Sequence, residues 1–370
     1  MVFRAKRRND TLKMIACAIL IVSFTNIIYG MHHIKELEKF VRIEFVRPPF
    51  LPSSAATADA KHISTWVHNY TSGSGLFPSK INSFDDLLEL EPNLEVPTNL
   101  HLIFAGDSLS RYQYLSLSHF LKYGKFVDPD AVPNMMKEKD FGTWLDFFRE
   151  TNKILQPEEQ CDCFRPEGHK MSLMMENRYF MDKKLNNSVS FVQKFGHKFT
   201  FKSNWNYADV HEKHDFITTE KENDYVIETM DWAQFISDFV ANLEPKPLYF
   251  IFNEGIHPHK DFSSRKIRRQ IIRAIKENGM ISVYKTTTKY RDHGIEVNGI
   301  IEDEAVRDYE RDFCERADFC LDLSWTWMVP PSFYSDYAHF VAPVYTWQNL
   351  QLFDVLNNNF NQVGNTAIKR

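Results

Sequence analysis

The chain has 370 residues, 43% of them hydrophobic, so it can bury the core of one large domain or of two smaller ones. Its formal charge of −5 and its pI near 6.3 show no basic excess, and this balance argues against nucleic acid as a partner. The aromatic content of 14%, with 31 phenylalanines, is typical of a dense core and also of a groove that stacks on sugar rings.

The N-terminus carries a short apolar run behind a basic cluster. Residues 4–8, RAKRR, precede the run at 14–31, which is near the lower limit of about 17–25 residues for a membrane-spanning helix. Because basic flanks stay cytosolic, we predict a cytosolic tail (1–13) and a type II signal anchor (14–31). A short span suits the membranes of the endoplasmic reticulum or Golgi. A cleaved signal peptide is the alternative, although no clear small-x-small cleavage site follows.

The next segment and the cysteines agree with a lumenal body. Residues 32–95 are predicted to form a stem, because Pro, Ser and Ala are dense at 47–60. Asn69 and Asn186 begin N-glycosylation triplets. In an oxidising compartment, the four cysteines outside the apolar run suggest two disulfides with three alternative pairings; they are Cys161, Cys163, Cys314 and Cys320. Zinc is the weaker alternative, since neither pair has C-x-x-C spacing.

Strands and helices alternate from about residue 96, which predicts an α/β domain over 96–362 with a mostly parallel, doubly wound sheet, and a tail at 363–370. The predicted strands are 99–105, 247–252, 280–286 and 319–324. The predicted helices are 109–121, 231–243, 263–279, 302–317 and 345–358. Asp231 is the expected N-cap of the second helix, with Gln234 completing a capping box. The stretch 123–219 is predicted to be irregular in secondary structure.

A first candidate site lies where the strand at 99–105 turns into a helix, at Gly106, Asp107 and Ser108. In open α/β sheets, ligands bind beyond the carboxyl ends of the strands, where a helix N-terminus also directs its amides. Ser108 is therefore placed to act as a nucleophile whose own N–H helps to hold an oxyanion. The local sequence equally permits Asp107 or Ser108 to be an ordinary helix cap.

A second block, FNEGIH, follows the strand at 247–252. Asn253 can point its side-chain N–H into the same cleft as an oxyanion donor. Gly255 allows a close backbone approach, and His257 can line the cleft or assist substrate binding. Asn and Gly at the end of a strand are also ordinary turn residues.

A third block, SDYAHF, precedes the closing helix. Asp336 and His339 are three residues apart, so the carboxylate can lie close to the imidazole. A base needs its tautomer fixed and its cation stabilised, and a neighbouring carboxylate does both. HEKHD at 211–215 is the other His cluster; without a third ligand of clear spacing it reads as a polar turn, and no metal site is predicted.

Taken in order, the three blocks resemble the SGNH/GDSL hydrolase-like superfamily. GDSLSRYQ, FNEGIH and DYAHFVAPVYTWQNL are most similar to the PC-esterase group, which includes the trichome birefringence-like polysaccharide O-acetyltransferases. The resemblance covers about residues 100–358 and implies a three-layer α/β/α, flavodoxin-like fold. By position, it implies Ser108 as nucleophile, His339 as base and Asp336 as its partner. It also implies Asn253 as an oxyanion donor, and Arg111 as a residue that steadies the loop or touches substrate.

The same resemblance implies a membrane-anchored O-acyltransferase, most simply an O-acetyltransferase, that acts on glycans or polysaccharides. An acyl esterase with the same triad and a catalytically silent carbohydrate-binding protein are the alternatives. No nucleotide-cofactor motif is visible, so no cofactor is predicted, and acetyl-CoA is only one candidate for the acyl donor. The plant proteins follow their His with Trp-Cys-Leu-Pro, whereas this chain has FVAP at 340–343, so plant cell-wall substrates do not follow from the resemblance.

Overall fold

The computed structural model describes residues 94–165, 174–195, 198–202, 210–211, 216–218, 227–253, 255, 264–288, 296–297, 300–301 and 303–367. The predicted tail (1–13), the anchor (14–31) and nearly all of the stem (32–95) lie outside these residues, as do Asn69 and His257. Within the described ranges, no helix combines the length and the hydropathy that crossing a bilayer requires.

The described ranges contain twelve strands and six α-helices. The strands are β1 (His101–Gly106), β2 (Glu159–Phe164), β3 (Met175–Asp182), β4 (Asn187–Phe195), β5 (Lys198–Lys202), β6 (Phe216–Thr218), β7 (Ile227–Met230), β8 (Tyr249–Phe252), β9 (Ile281–Lys285), β10 (Glu296–Val297), β11 (Ile300–Ile301) and β12 (Phe319–Leu321). The helices are α1 (Ser108–Tyr123), α2 (Trp144–Leu155), α3 (Trp232–Gln234), α4 (Arg265–Glu277), α5 (Asp303–Arg316) and α6 (Ala342–Ala367).

A mixed, mostly parallel sheet forms the centre, which confirms the predicted α/β class. Its strands follow the order β12, β9, β8, β1, β4, β3, β2, β6, and the first five run parallel. β3 is antiparallel to both of its neighbours, and β5 with β7 extends the sheet from β4. Strands β1 and β8 are buried on both faces, and for this reason their sequences are continuous apolar runs.

Pairing in register brings the carboxyl ends of three strands to one edge of the sheet. Ala105 of β1 lies opposite Phe252 of β8, and Phe252 lies opposite Tyr284 of β9. The residues that follow these strands therefore meet at this edge, which is where α/β sheets bind ligands.

Aromatic side chains fill the core on one face of the sheet. The cluster joins strands β1, β8 and β9 to helices α3, α4 and α5 and includes Ile103, Ala105, Phe235, Phe239, Phe250, Phe252, Ile271, Tyr284 and Phe313. The capping box of Asp231 and Gln234 is present, as predicted. The helix predicted at 231–243 is nevertheless irregular: α3 passes into a π-helical turn (Phe235–Phe239) and then a 3₁₀ turn (Val240–Asn242).

The prediction that 123–219 is irregular was wrong, because this stretch contributes α2 and five strands, β2 to β6. Thr143 caps α2 by accepting a hydrogen bond from the Asp146 N–H. In β2 and β3, buried charged residues interrupt the apolar alternation by which strands are recognised, and this hid both strands.

Two disulfides join residues that are close in sequence. Cys161 pairs with Cys163 within β2, and Cys314 of α5 pairs with Cys320 of β12. Of the three alternative pairings, the chain therefore uses the most local one. Disulfides are typical of proteins that fold in an oxidising compartment.

The buried charges of β2 and β3 form one network. Arg178, fully buried, donates through Nε to Glu176 Oε1 at 2.8 Å and through Nη1 to Glu159 Oε2 at 3.1 Å. Its third donor reaches Thr151 Oγ1 on α2 at 3.0 Å. Glu176 also accepts from Arg111 Nη1 at 3.1 Å, which links the network to helix α1.

Arg178→Met is expected to destabilise the fold by about 3–5 kcal/mol, because it leaves the buried Glu159 without its counter-charge and removes one of the two arginines paired with Glu176. Chemical denaturation measures this loss. Lys153→Met is the matched control, since Lys153 forms an exposed ion pair with Glu150 at 3.6 Å and is expected to change stability by less than about 1 kcal/mol. Equal effects of the two substitutions would contradict the described network.

Candidate active site

The Ser, His and Asp singled out in the sequence lie in one hydrogen-bonded line. Ser108 is the first residue of α1, directly beyond the carboxyl end of β1, and its Oγ lies 2.7 Å from His339 Nε2. The other imidazole nitrogen, Nδ1, lies 2.7 Å from Asp336 Oδ2. Ser108 is 7% exposed and His339 is 8% exposed, so the line sits just beneath the surface. This is the order of contacts that lets an imidazole take a proton from a serine hydroxyl.

A tight loop holds Asp336 against His339. Asp336 Oδ1 accepts hydrogen bonds from the N–H groups of Ala338 at 2.7 Å and His339 at 2.8 Å. The loop is closed by the Ser335 N–H, which donates to the His339 carbonyl at 2.8 Å, and by a bridge between Tyr334 and Phe340. Both Asp336 oxygens are thus fixed by the loop they belong to, and the imidazole is fixed with them.

The same contacts keep Asp336 ionised. Burial acts to raise the pKa of Asp336, but the hydrogen bond and charge of His339, with the two loop amides, lower this pKa to about 2. Because the folded-state pKa is lowered, the stability contributed by this carboxylate is present above its ordinary pKa and is lost as the pH falls towards 2. A carboxylate that stays charged at neutral pH is what a catalytic imidazole requires as its partner.

Asn253 presents a buried amide donor at the same edge of the sheet. Its Oδ1 accepts from Ser110 Oγ at 3.1 Å, and this hydrogen bond turns the amide group so that Nδ2 is the remaining donor. Nδ2 is buried and has no hydrogen-bond partner among the described residues. A buried N–H without a partner is costly, and such donors are typical of sites that stabilise a developing oxyanion. The N-terminal amides of α1 lie at the same turn.

Two glycines allow the turn after β1 to pack closely against the residues that follow β8. A Cβ on Gly106 would lie 2.4 Å from Asn253 Oδ1. A Cβ on Gly255 would lie 1.9 Å from Asp107 Oδ2, and Gly255 has a φ of +68°, a conformation that favours glycine. Asp107 is fully buried and caps α1 by accepting the Leu109 N–H through Oδ1 at 3.0 Å. The cap that the sequence permitted for Asp107 is therefore present in this turn, and Ser108 follows it as the first residue of the helix.

Arg111 lies beside the triad but faces inward. It is 1% exposed, and its Nη2 donates to Glu138 Oε2 at 3.0 Å while Nη1 donates to Glu176. Of the two roles that the resemblance implied, this geometry fits a residue that steadies the turn, because the guanidinium is enclosed by protein.

Tyr112 and Glu138 also support the triad, and the sequence analysis did not identify them. The Tyr112 ring packs edge-on against the His339 ring, with centroids 5.0 Å apart, and its hydroxyl donates to Glu138 Oε2 at 3.3 Å. Tyr112 lies four residues after Ser108, so both share a face of α1. This spacing is the signal that could have identified Tyr112; Glu138 lies in a separate 3₁₀ turn (Glu138–Phe141) and had no such signal.

A cation could in principle be held by Glu138, Asp336 and His339, whose ligand atoms lie within 4.8 Å of one another. Glu138 already accepts from Arg111 and Tyr112. Both ring nitrogens of His339 already take part in the hydrogen bonds of the triad. The arrangement therefore favours proton transfer over metal binding.

Asn186, the remaining predicted modification site, is exposed in the turn between β3 and β4. Its φ is 55° and its Nδ2 donates to Asn99 Oδ1 at 2.8 Å. An exposed turn is the position that an N-glycan requires.

Gly255→Ala is expected to lower stability by more than the cost of the backbone conformation alone, because the new methyl group must displace the Asp107 carboxylate from the turn. Gly279→Ala is the matched control: Gly279 has a similar φ of +71°, but nothing lies within 4 Å of its Cβ position. The control is expected to cost only about 1–2 kcal/mol of stability from the backbone conformation. Chemical denaturation measures the loss in each variant, and equal losses of stability in the two variants would contradict the close packing of Gly255 on Asp107.

Comparison with protein-family models, with curated proteins and with solved structures finds no match to this chain.

Proposed function

We propose that this protein is a membrane-anchored O-acyltransferase of the PC-esterase type, most simply an O-acetyltransferase, that modifies glycans through an acyl-serine. The observation that carries the proposal is the line from Ser108 Oγ through His339 to Asp336, with both hydrogen bonds at 2.7 Å. The proposal includes the three-layer, flavodoxin-like arrangement of the SGNH superfamily and the N-terminal anchor at 14–31.

In the acylation step, Ser108 Oγ attacks the carbonyl carbon of the donor while His339 Nε2 takes the hydroxyl proton. Asp336 stabilises the imidazolium that forms. The carbonyl oxygen, now an oxyanion, accepts hydrogen bonds from Asn253 Nδ2 and from the Ser108 N–H at the start of α1. When the intermediate collapses, the bond to the leaving group breaks and His339 returns the proton to that group. The acyl group remains on Ser108 as an ester.

In the second step, His339 takes a proton from the acceptor hydroxyl, which attacks the acyl-serine. The same donors hold the second oxyanion, and Ser108 leaves as the alcohol after it regains a proton from His339. A sugar hydroxyl as acceptor gives a transferase, and water gives an acyl esterase. The triad serves both reactions equally. The predicted signal anchor and the resemblance of the three blocks favour the transferase.

Tyr337 supports a sugar as the acceptor. It lies between Asp336 and His339, and its side chain is 63% exposed, which is unusual for a large aromatic residue in the described part of the chain. Exposed aromatic rings beside a reactive centre offer an apolar face and a polar edge, as the face and hydroxyls of a sugar require. The two disulfides and the exposed Asn186 agree with a glycan-rich lumen of the endoplasmic reticulum or Golgi.

The proposal predicts that the full-length protein in detergent gains one acetyl group when it is incubated with p-nitrophenyl acetate and passes it to an oligosaccharide. Intact-mass spectrometry of the protein and mass spectrometry of the sugars measure both steps. Ser108→Ala is expected to abolish both. Ser116→Ala is the matched control, since Ser116 is a buried serine of the same helix, and it is expected to retain both.

The outcome also separates the alternatives. Acetate released while every sugar stays unmodified would replace the transferase with an esterase, and a folded protein that never acylates would favour the binding protein.

Tyr337→Ala is expected to raise the KM for the oligosaccharide about two- to tenfold without changing turnover of p-nitrophenyl acetate alone. Tyr123→Ala, which removes another exposed tyrosine far along α1, is its control. An unchanged KM in Tyr337→Ala would contradict a sugar-stacking role.

A further inference from the structure

Lys285 is a buried lysine at the edge of the sheet that carries the triad, and the proposed mechanism leaves it unused. It ends β9, is 1% exposed, and follows the fully buried Val283 and Tyr284. Lysine is almost never fully buried without a partner, because an ammonium loses its hydration in the interior. The burial of the Lys285 side chain therefore requires a physical explanation.

The pleat of β9 directs Lys285 towards helix α1. Residues two apart in a strand share a face, so Lys285 lies on the face opposite to Tyr284, which belongs to the aromatic cluster with α4 and α5. Lys285 Nζ lies 3.4 Å from the carbonyl oxygen of Leu109, in the first turn of α1. Its ammonium is thus placed beneath the turn that presents Ser108.

Asp107 and Lys285 both contact Leu109 in the first turn of α1: Asp107 Oδ1 accepts the Leu109 N–H at 3.0 Å, and Lys285 Nζ lies 3.4 Å from the Leu109 carbonyl oxygen. Asp107 is fully buried, caps α1 through Oδ1, and packs its Oδ2 against Gly255. This arrangement places a negative charge one residue before Ser108, beside the donors that must hold an oxyanion. Two negative charges close together in a medium of low dielectric repel strongly, so an uncompensated Asp107 would oppose acylation.

We propose that Lys285 is a positioning residue that provides the counter-charge of Asp107, so that the turn before Ser108 can accept the negative charge of the oxyanion. The inference rests on the proposed function, because it concerns the acylation of Ser108. It assigns Lys285 no contact with substrate.

The stability cost of a charged Lys285 agrees with a role in compensating the charge of Asp107. Burial lowers the pKa of Lys285 to about 7, although the Asp107 charge acts to raise it. Because the folded-state pKa lies below the ordinary 10.5, the unfolded chain binds more protons between pH 7 and pH 10.5, and stability rises with pH across that window. The protonated lysine at lower pH therefore costs stability, and a site selected for stability alone would favour an apolar side chain.

The test compares Lys285→Met, Asp107→Asn and the double variant of the full-length protein at pH 6, where Lys285 carries its proton. Asn retains the cap, since its Oδ1 also accepts from the Leu109 N–H. Lys285→Met is expected to slow acylation by p-nitrophenyl acetate about ten- to a hundredfold, less than the loss of a direct oxyanion donor. The double variant is expected to acylate within about threefold of Asp107→Asn alone, because no charge then needs compensation.

A lysine that merely fills space would give a different pattern, with the double variant at least as slow as Lys285→Met. That result, or an unchanged rate in Lys285→Met, would overturn the inference. Lys194→Met is the matched control: Lys194 is a buried lysine of β4 beside the Trp232 ring, and its loss is expected to leave acylation unchanged.

Urea denaturation of the wild type, the two single variants and the double variant measures the interaction between Lys285 and Asp107 without any need for activity. The two substitutions are expected to be non-additive by about tenfold in the unfolding equilibrium constant, with the double variant more stable than Lys285→Met. Additive losses, or a double variant as unstable as Lys285→Met, would overturn the pairing. A wild-type protein that never acylates Ser108 would instead contradict the proposed function, so the two failures are distinguishable.

Discussion

The parallel pairing of β1 with β8, and of β8 with β9, is the constraint on which the site depends. Parallel strands in register end at the same edge, so the residues that follow β1 and β8 meet there although they are far apart in the sequence. Ser108 begins a helix at this edge, and Asn253 follows the neighbouring strand. His339 then reaches Ser108 from a loop 231 residues further along the chain.

Buried polar contacts hold this edge rigid. The loop around Asp336 uses its own amides to fix the carboxylate, and Tyr112 packs on the imidazole from α1. Behind the turn, Arg111 connects α1 to Glu138 and to the buried ion network of β2 and β3. Such networks are costly unless every charge is paired, and fully paired they fix one arrangement of the side chains. The geometry of the candidate site is thus built on contacts that extend well beyond Ser108, His339 and Asp336.

Elements with strong local patterns could be predicted from the sequence, and so could the contacts among Ser108, His339 and Asp336. β1, α1, β8 and β9 have apolar runs or helical periodicity, and the predicted capping box of Asp231 is present. β2 and β3 were missed because the buried charges Glu159, Glu176 and Arg178 look like surface residues until their partners are known. Lys285 was missed for the same reason, although a lysine that ends an otherwise buried strand is itself a signal. Glu138 could not be found, since only the tertiary fold brings its turn to Arg111.

The central claim is that His339 and Asp336 activate Ser108, and covalent labelling with a fluorophosphonate tests it most directly. The full-length protein would be incubated with the probe, and the labelled residue located by peptide mass spectrometry. The account predicts one label, on Ser108, and a labelling rate that falls about a thousandfold in His339→Gln while the variant remains folded. A label on another residue, or labelling of Ser108 at an undiminished rate in His339→Gln, would contradict it.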